Sequence, residues 1–345
     1  MTHMPSFVFV CKITVWQSWG FKSEMRSEQL ASDKSYRDLF KLDLDDEHLK
    51  KQLESDTEHL PRTVDEVKRL YTDYLRKLYE HIEDKLSAKL YKVSWEDARI
   101  DFLFSVPSTW KDRTVERFRS AIMGGGFGRE RNHSVNIDLT EAEAAAVFTA
   151  KENRSMFKKG DMLLVCDAGG GTTDISVLSV EDTSNGLLKL KQEDVVQGEA
   201  TGSISIDYGF RELVVNRLRE ANESTPLGID IVDTAWEMMK SQEFQNLKCG
   251  LGSPDEPPKS FMPSLSIDRN YCDIMSQIEN GAMYITREDL RKLFNTQVEK
   301  IFDLIDNQLR TLEARLPNAQ IAHIVLSGGL GECFGPRAQE DAEAT

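Results

Sequence analysis

The chain has 345 residues, enough for two or three compact units and a real core. Apolar residues make up 40% and charged residues 29%, an ordinary balance for a globular protein. A formal net charge of -15 repels a phosphate backbone and argues against nucleic acid as a partner, and no apolar run approaches a membrane span.

The first elements are short. Residues 1–25 mix β-like pieces, FVFVCKITVW, with Trp16, Trp19 and Gly20. Phe7–Thr14 is too short for a secretion signal and is interrupted by Lys12. From Ser27 to Asp45 the chain is polar and charged. Val67, Leu70, Tyr71, Tyr74, Leu75, Leu78 and Ile82 then recur mostly at spacings of three and four, which predicts a helix over Val64–Leu86. The run IDFLFSV predicts a strand closed by Pro107, and Arg113–Ile122 a helix stopped by Gly124–Gly126. Val135–Leu139 reads as a strand. Glu141–Lys151 reads as an alanine-rich helix with acids in its first turn, where the helix dipole favours them.

In the second half, Asp161–Cys166 predicts an apolar strand, followed by a glycine turn and a second strand. Leu187–Val196 reads as a further strand, and Phe210–Ala221 and Ile229–Leu247 as helices. Pro254–Pro263 reads as a proline-rich loop. Ile285–Leu316 is a long helical tract opened by Thr286, with Glu288 as the capping acid. Ala322–Leu326 is an apolar strand ending at Ser327-Gly328-Gly329. Strands alternate with helices, so the pattern alone predicts an α/β fold.

The segment with the clearest chemistry is LLVCDAGGGTTDISVLSV, residues 163–180. A strand delivers Asp167 to its tip. Gly169, Gly170 and Gly171 let the backbone approach a ligand closely, and successive N–H groups there form an anion-binding nest. Asp167 suits a hydrated Mg²⁺, which keeps several of its waters. A glycine-rich β-hairpin without a ligand is the plainer alternative. The two Thr and two Asp that frame the glycines favour a phosphate site.

Other candidates are weaker. Gly124-Gly125-Gly126-Phe127-Gly128 lies between a helix and a strand, and a structural turn is the favoured reading. Trp16, Trp19, Trp95 and Trp110 are expected to pack in the core. The five cysteines, Cys11, Cys166, Cys249, Cys272 and Cys333, have no zinc-site spacing and fit reduced thiols in the cytoplasm or nucleus.

The string DAGGGTTD resembles the second phosphate motif of the Hsp70/actin superfamily of ATPases. It is not a P-loop, since no Gly-Lys-Ser/Thr follows, nor a dinucleotide fingerprint, since a strand follows the glycines. Further segments agree in order. Ser105-Val106-Pro107-Ser108-Thr109-Trp110 resembles the family's strand ending in Val-Pro-Ala. TEAEAAAVFTA, residues 140–150, resembles its connecting helix with a catalytic glutamate. Ile285-Thr286-Arg287 resembles its Ile-Thr-Arg helix start, and Ser327-Gly328-Gly329-Leu330-Gly331 its adenosine motif. The helical insert around 27–90 and the Trp-Gly-Phe segment most resemble the divergent heat shock 70 kDa protein 12 branch.

The resemblance implies an actin-like, ribonuclease H-like fold of two lobes, 1–158 and 159–345, with inserts at about 27–90 and 199–283. It implies ATP or ADP with Mg²⁺ held between them. Asp167 would hold the hydrated metal and help accept a proton from the attacking water. Gly169, Gly170 and Gly171 would donate N–H groups to phosphates, with Thr172 and Thr173 beside them. Asp174 would sit near the metal or a monovalent cation. Glu141 matches the family's catalytic glutamate, with Glu143 as the fallback. Gly328 and Gly329 would contact ribose and adenine. Lys248 is a candidate match for a nucleoside-contacting lysine, but Gln245 stands where the family has Glu, so a surface lysine is the favoured reading.

The sequence departs from the family in its first half. No Asp-x-Gly-Thr-Thr string occurs near Met1, and no first-lobe lysine for the γ-phosphate stands out, Lys22 having no motif around it. The first lobe is therefore expected to be incomplete, with PSFVFVCKITVW replacing part of its sheet. The chain is expected to end just after the adenosine motif, without a peptide-binding domain. Three functions compete: a weak Hsp70-like ATPase, a non-catalytic pseudo-ATPase or interaction protein, and a sugar-kinase-type phosphotransferase. The last lacks a motif-borne acceptor base, since neither Asp101 nor Asp138 lies in one.

Overall fold

The computed structural model describes residues 8–10, 16–19, 36–37, 40–55, 63–90, 92–152, 156–183, 189–193, 197–199, 201–251, 259–262 and 265–330. The chain divides into two compact units, Met1–Ala144 and Ala145–Thr345. The division falls inside a helix, α4 (Glu141–Glu152).

In the first unit, β1 (Val8–Val10) pairs antiparallel with β2 (Trp16–Trp19) and with β3 (Tyr36–Arg37). These strands form a sheet of their own, and among the described residues none joins the parallel pair β4 (Ile100–Val106) and β5 (His133–Thr140). The expectation that the N-terminal apolar run substitutes for a strand of that sheet is thereby corrected. Its strands satisfy their backbone groups on each other. At the end of the polar stretch the described residues hold a 3-10 turn at Leu42–Leu44, and α1 (Asp46–Ser55) follows it.

Helix α2 (Val64–Ser87) forms where the three-and-four spacing places it. Thr63 and Glu66 close a reciprocal capping box at its start, satisfying two N–H groups the helix leaves open. It packs on α3 (Asp112–Gly124), and the core between them is aromatic. Tyr79, Trp95, Phe102 and Phe127 meet mostly edge-on, with the Trp95 indole N–H donating to the Tyr79 hydroxyl at 2.9 Å. Trp95 is buried and Trp110 packs on Phe118, as expected of packing residues.

The second unit is built on one sheet. Its main path is β13 (Ile321–Ser327), β6 (Met162–Ala168), β7 (Thr173–Asp182) and β8 (Lys189–Gln192), with β9 (Gln197–Glu199) pairing the start of β7. Strands β6 and β7 form an antiparallel hairpin, and β13 lies parallel to β6. Leu163, Leu164, Val165 and Cys166 are all buried, which explains the unbroken apolar run that marked the strand. Helices α5 (Ser203–Ser224) and α8 (Arg287–Arg315) cover one face of the sheet, with Ile206, Phe294, Ile301 and Leu304 in that core. A second core joins α5, α6 (Ile231–Lys240) and α7 (Gln242–Cys249) to a small sheet in the order β10 (Lys259–Met262), β12 (Ala282–Thr286), β11 (Ile278–Glu279).

Two expectations need correction here. The end of the supposed proline-rich loop, Lys259–Met262, is a strand paired with β12 in register from Lys259↔Thr286 to Met262↔Met283. The capping acid of α8 is Asp289, not Glu288. Thr286 is the N-cap, and only the third residue beyond it reaches back to the cap N–H, at 2.8 Å.

Candidate functional site

The glycine turn of the β6–β7 hairpin is clamped from behind. The ladder closes at Asp167↔Asp174 and Ala168↔Thr173, leaving Gly169–Thr172 as the connection. The Gly169 N–H donates to the Thr172 carbonyl at 2.9 Å. The Ala168 carbonyl accepts from Leu330 N–H at 3.0 Å, and the Gly169 and Gly170 carbonyls accept from Ser203 and Ile204 at 3.1 and 2.9 Å. The Thr173 hydroxyl donates to the Thr201 carbonyl at 2.6 Å, and Thr173 is fully buried.

These bonds sort the turn's polar groups by side. Three successive carbonyls are held by protein donors. The N–H groups of Gly170, Gly171 and Thr172 are spent on no backbone carbonyl among the described residues. Gly170 is exposed, and a side chain there would meet nothing within 4 Å. The first N–H groups of α5 point at the turn's carbonyls, so the positive end of that helix lies directly behind the loop and raises its affinity for an anion.

Glycine is required where the clamps close. Gly328 has φ +84, and a Cβ on it would lie 2.2 Å from the Ala168 carbonyl oxygen. A Cβ on Gly202 would lie 2.4 Å from the Gly170 oxygen. Gly328 thus has a packing role against the hairpin, whereas Gly329 has open space around its α-carbon.

Asp167 and Asp174 are directly opposite each other across the ladder, so both side chains lie on one face of the sheet, with Ser327 beside Asp167. Asp174 is buried and Asp167 half-buried. Among the described residues no three His, Cys, Asp or Glu side chains gather into a metal cage. A paired-carboxylate edge of this kind fits Mg²⁺, which takes one or two carboxylates and fills its other positions with water and phosphate oxygens. On the neighbouring position, burial pushes the Cys166 thiol up to about 12, helped by the charges of Asp167 and Asp174. It is a neutral, inert thiol at pH 7.

Lys248, on α7, is not a surface lysine. Its ammonium pairs with the Asp207 carboxylate at 2.6 Å, with side chains only 13% and 17% exposed. Asp207 stands one helical turn beyond Ser203, whose N–H holds the hairpin. Gln245 reaches the Met239 carbonyl at 3.4 Å.

In the first unit, the two candidate glutamates have different occupations. Glu143 closes a capping box with Thr140, accepting from its N–H at 2.8 Å and its hydroxyl at 2.9 Å while Thr140 accepts from the Glu143 N–H at 3.1 Å. Its carboxylate is a structural cap. Glu141 is free of that duty and pairs with Lys41. The Gly124–Gly128 run is structural, as the sequence favours. A Cβ on Gly125 would lie 2.8 Å from that of Leu75, and Gly126 and Gly128 take φ +103 and +73.

Sequence reasoning missed Gly202, Thr201 and Lys41. Thr-Gly-Ser ahead of an amphipathic helix is a helix-start signal and could have flagged the first two. Nothing local marks Lys41, whose partner is 100 residues away.

The sequence profile of the family described as "Hsp70 protein" matches residues 74–333, about three quarters of the chain. The chain belongs to the Hsp70 family, and its α/β fold is that of an Hsp70/actin-like nucleotide-binding domain. Heat shock 70 kDa protein 13 of Bos taurus is 28% identical over 211 residues, as is that of Homo sapiens. The alignment covers 55% of this chain and 44% of each relative, so the chain spans less than half the length of the curated relatives it matches.

Proposed function

We propose that this chain binds ATP or ADP with Mg²⁺ at the Asp167–Asp174 hairpin and hydrolyses ATP weakly or not at all. The carrying observation is the sorting of the turn, with carbonyls clamped behind and the N–H groups of Gly170, Gly171 and Thr172 left for a ligand. A cradle preorganised in this way pays no reorganisation on binding.

The residue roles follow from the chemistry each group offers. Gly170, Gly171 and Thr172 form the backbone nest for the phosphates, while Gly169, expected from the sequence to donate as well, spends its N–H on the Thr172 carbonyl and closes the turn; the Thr172 hydroxyl is offered to a phosphate oxygen or a water. Asp167, with Asp174 opposite it across the ladder, would hold the metal, which would neutralise phosphate charge, and Thr173 fixes the turn. Gly328 and Gly329 keep the backbone low enough for the nucleoside, and Lys248 serves its polar groups. Glu141 is the general base of the first unit. Lys41 is the cation that the sequence pattern leaves unassigned.

Weak turnover is part of the same proposal. The sequence carries one string of this type, DAGGGTTD at residues 167–174, where the superfamily uses two. Phosphoryl transfer is catalysed mainly by positioning and electrostatics, and removing one donor costs about 10²–10³ in rate. A place beside the heat shock 70 kDa protein 12 branch belongs to the same proposal and rests on the resemblance of residues 27–90 and the Trp-Gly-Phe segment alone. The free thiols Cys166, Cys249 and Cys272 support a reducing compartment, the cytoplasm or nucleus. No helix among the described residues is long and apolar enough to cross a membrane.

Titration of ATP and ADP, with and without Mg²⁺, tests this reading. Saturable, Mg²⁺-enhanced binding is expected, with phosphate release slow or undetectable. Absence of binding at millimolar nucleotide would remove the reading in favour of a non-nucleotide interaction protein.

A further inference from the structure

Lys41 is the N-cap of the 3-10 turn Leu42–Leu44, and its position is closely determined. The residues around it are anchored in the core. Phe40 and Leu44 are fully buried, and the Phe40 ring stands edge-on to Tyr71 and Tyr74 at 5.6 and 6.3 Å. On the polar side, the start of α3 grips the same segment. The Thr114 hydroxyl donates to Asp45 Oδ2 at 3.1 Å. Arg117 donates through Nη1 to the Leu44 carbonyl at 3.1 Å and through Nη2 to Asp46 Oδ1 and Oδ2 at 2.9 and 2.8 Å. Asp45 Oδ1 in turn accepts the Glu47 and His48 N–H groups at 3.0 and 3.2 Å, starting α1.

Arg117 differs from the ion pairs around it. Lys111–Glu47 and Arg113–Asp46 are largely exposed and contribute little. The Arg117 side chain is 14% exposed, and it binds a main-chain carbonyl and a carboxylate at once. A rigid guanidinium fork with several bonded partners fixes direction as well as distance. The carbonyl it holds belongs to Leu44, the last residue of the 3-10 turn that follows Lys41, a turn closed by the Asp45 N–H on the Leu42 carbonyl at 3.0 Å. Lysine has a flexible four-carbon stem, so its partner is chosen by where its backbone is held.

We propose that Arg117 and Thr114 are positioning residues that set Lys41 against Glu141, acting on the first unit's reaction centre without touching a ligand. The proposal rests on the reading of Lys41 and Glu141 as site residues. Its test needs no nucleotide, so failure of nucleotide binding and failure of the clamp are separate results.

The test is limited acylation of the full chain with an amine reagent, with each lysine's rate read by mass spectrometry. The Lys41 amine must leave Glu141 to react. Glu141→Gln is therefore expected to raise its rate, which sets the scale. Arg117→Met and Asp46→Asn are expected to raise it roughly fivefold, about 1 kcal/mol at 1.4 kcal/mol per decade. Thr114→Val should raise it less, and Arg117→Lys should restore part of the protection. Lys77 and Lys248 should keep their wild-type rates. If Arg117→Met fails to fold, Asp46→Asn and Thr114→Val carry the test from the other side of the clamp. A Lys41 rate unchanged in these folded variants, or unchanged in Glu141→Gln, would overturn the proposal. So would a rise spread equally over all lysines, which would mean general loosening.

Discussion

The two units each contain a glycine run, and the two runs are used in opposite ways. In the first, Gly124–Gly128 lets helix α3 approach α2 and turn back. The space a side chain would need there is taken by Thr72, Leu75 and Val135. In the second, Gly169–Gly171 faces outward, and the space above Gly170 is empty while its carbonyl is held behind by Ile204. Composition does not separate the runs. The neighbours do: one run is short of room, and the other is short of hydrogen-bond partners on one side only.

The largest effect should come from the frame that holds the open run. Helix α5 presents Ser203 and Ile204 to the hairpin, and it is fastened to α8 by Arg217–Asp289, paired at 2.7 Å with side chains 10% and 12% exposed. Asp289→Ala leaves the Arg217 charge buried without its carboxylate and is expected to cost about 3–5 kcal/mol in denaturant melts. The pair also sets an acid limit. Burial raises the Asp289 carboxyl, but the Thr286 backbone N–H, the Arg217 guanidinium and the Thr286 hydroxyl outweigh it and hold the carboxyl below its ordinary value. Its contribution is complete above about pH 3.9, the unfolded value, and is lost as pH falls through the lower folded one. An Asp289→Asn variant should show a flatter acid limb in stability against pH, and an unchanged limb would contradict this assignment.

Gly328→Ala comes next. It places a methyl against the Ala168 carbonyl at a positive φ, and about 3 kcal/mol of lost stability is expected, together with any nucleotide affinity. Gly125→Ala overpacks the other run against Leu75 and should cost about 1–3 kcal/mol while leaving the isotherm for nucleotide unchanged at temperatures where the protein is folded. Should Gly125→Ala abolish binding at intact fold, the division of labour between the runs would fail. Glu143→Ala removes a helix cap and should cost about 1 kcal/mol. The smallest stability effect is the most informative. Gly170→Ala should change the melting midpoint little, within roughly 0.5 kcal/mol, because nothing lies within reach of its methyl. It should nevertheless weaken nucleotide binding at least tenfold, measured by calorimetry, since the methyl occupies the approach to the cradle.

Much of this was legible in the residues. Helix α2 and strand β6 announce themselves by periodicity and by an unbroken apolar run, because one burial pattern dominates each of them. The hairpin was visible because its glycines are consecutive and framed by Asp and Thr. What escaped was whatever depends on distant partners. Lys259–Met262 lies next to prolines, and only its pairing with β12 makes it a strand. Lys41 acquires a partner 100 residues on, and Gly202, though it stands in a readable helix-start signal, owes its need for glycine to the hairpin carbonyls it approaches. The choice between Glu288 and Asp289 is a local exception, since the three-residue spacing from Thr286 that selects Asp289 stands in the sequence itself.

The most direct test is a measurement of the hairpin amides themselves. In ¹H–¹⁵N spectra of the chain titrated with Mg²⁺ and ADP, the Gly170, Gly171 and Thr172 resonances should move furthest and saturate together, while Gly124, Gly125 and Gly126 stay in place. A protein that saturates with nucleotide while Gly170–Thr172 remain unmoved would contradict the assignment of this hairpin as the phosphate cradle.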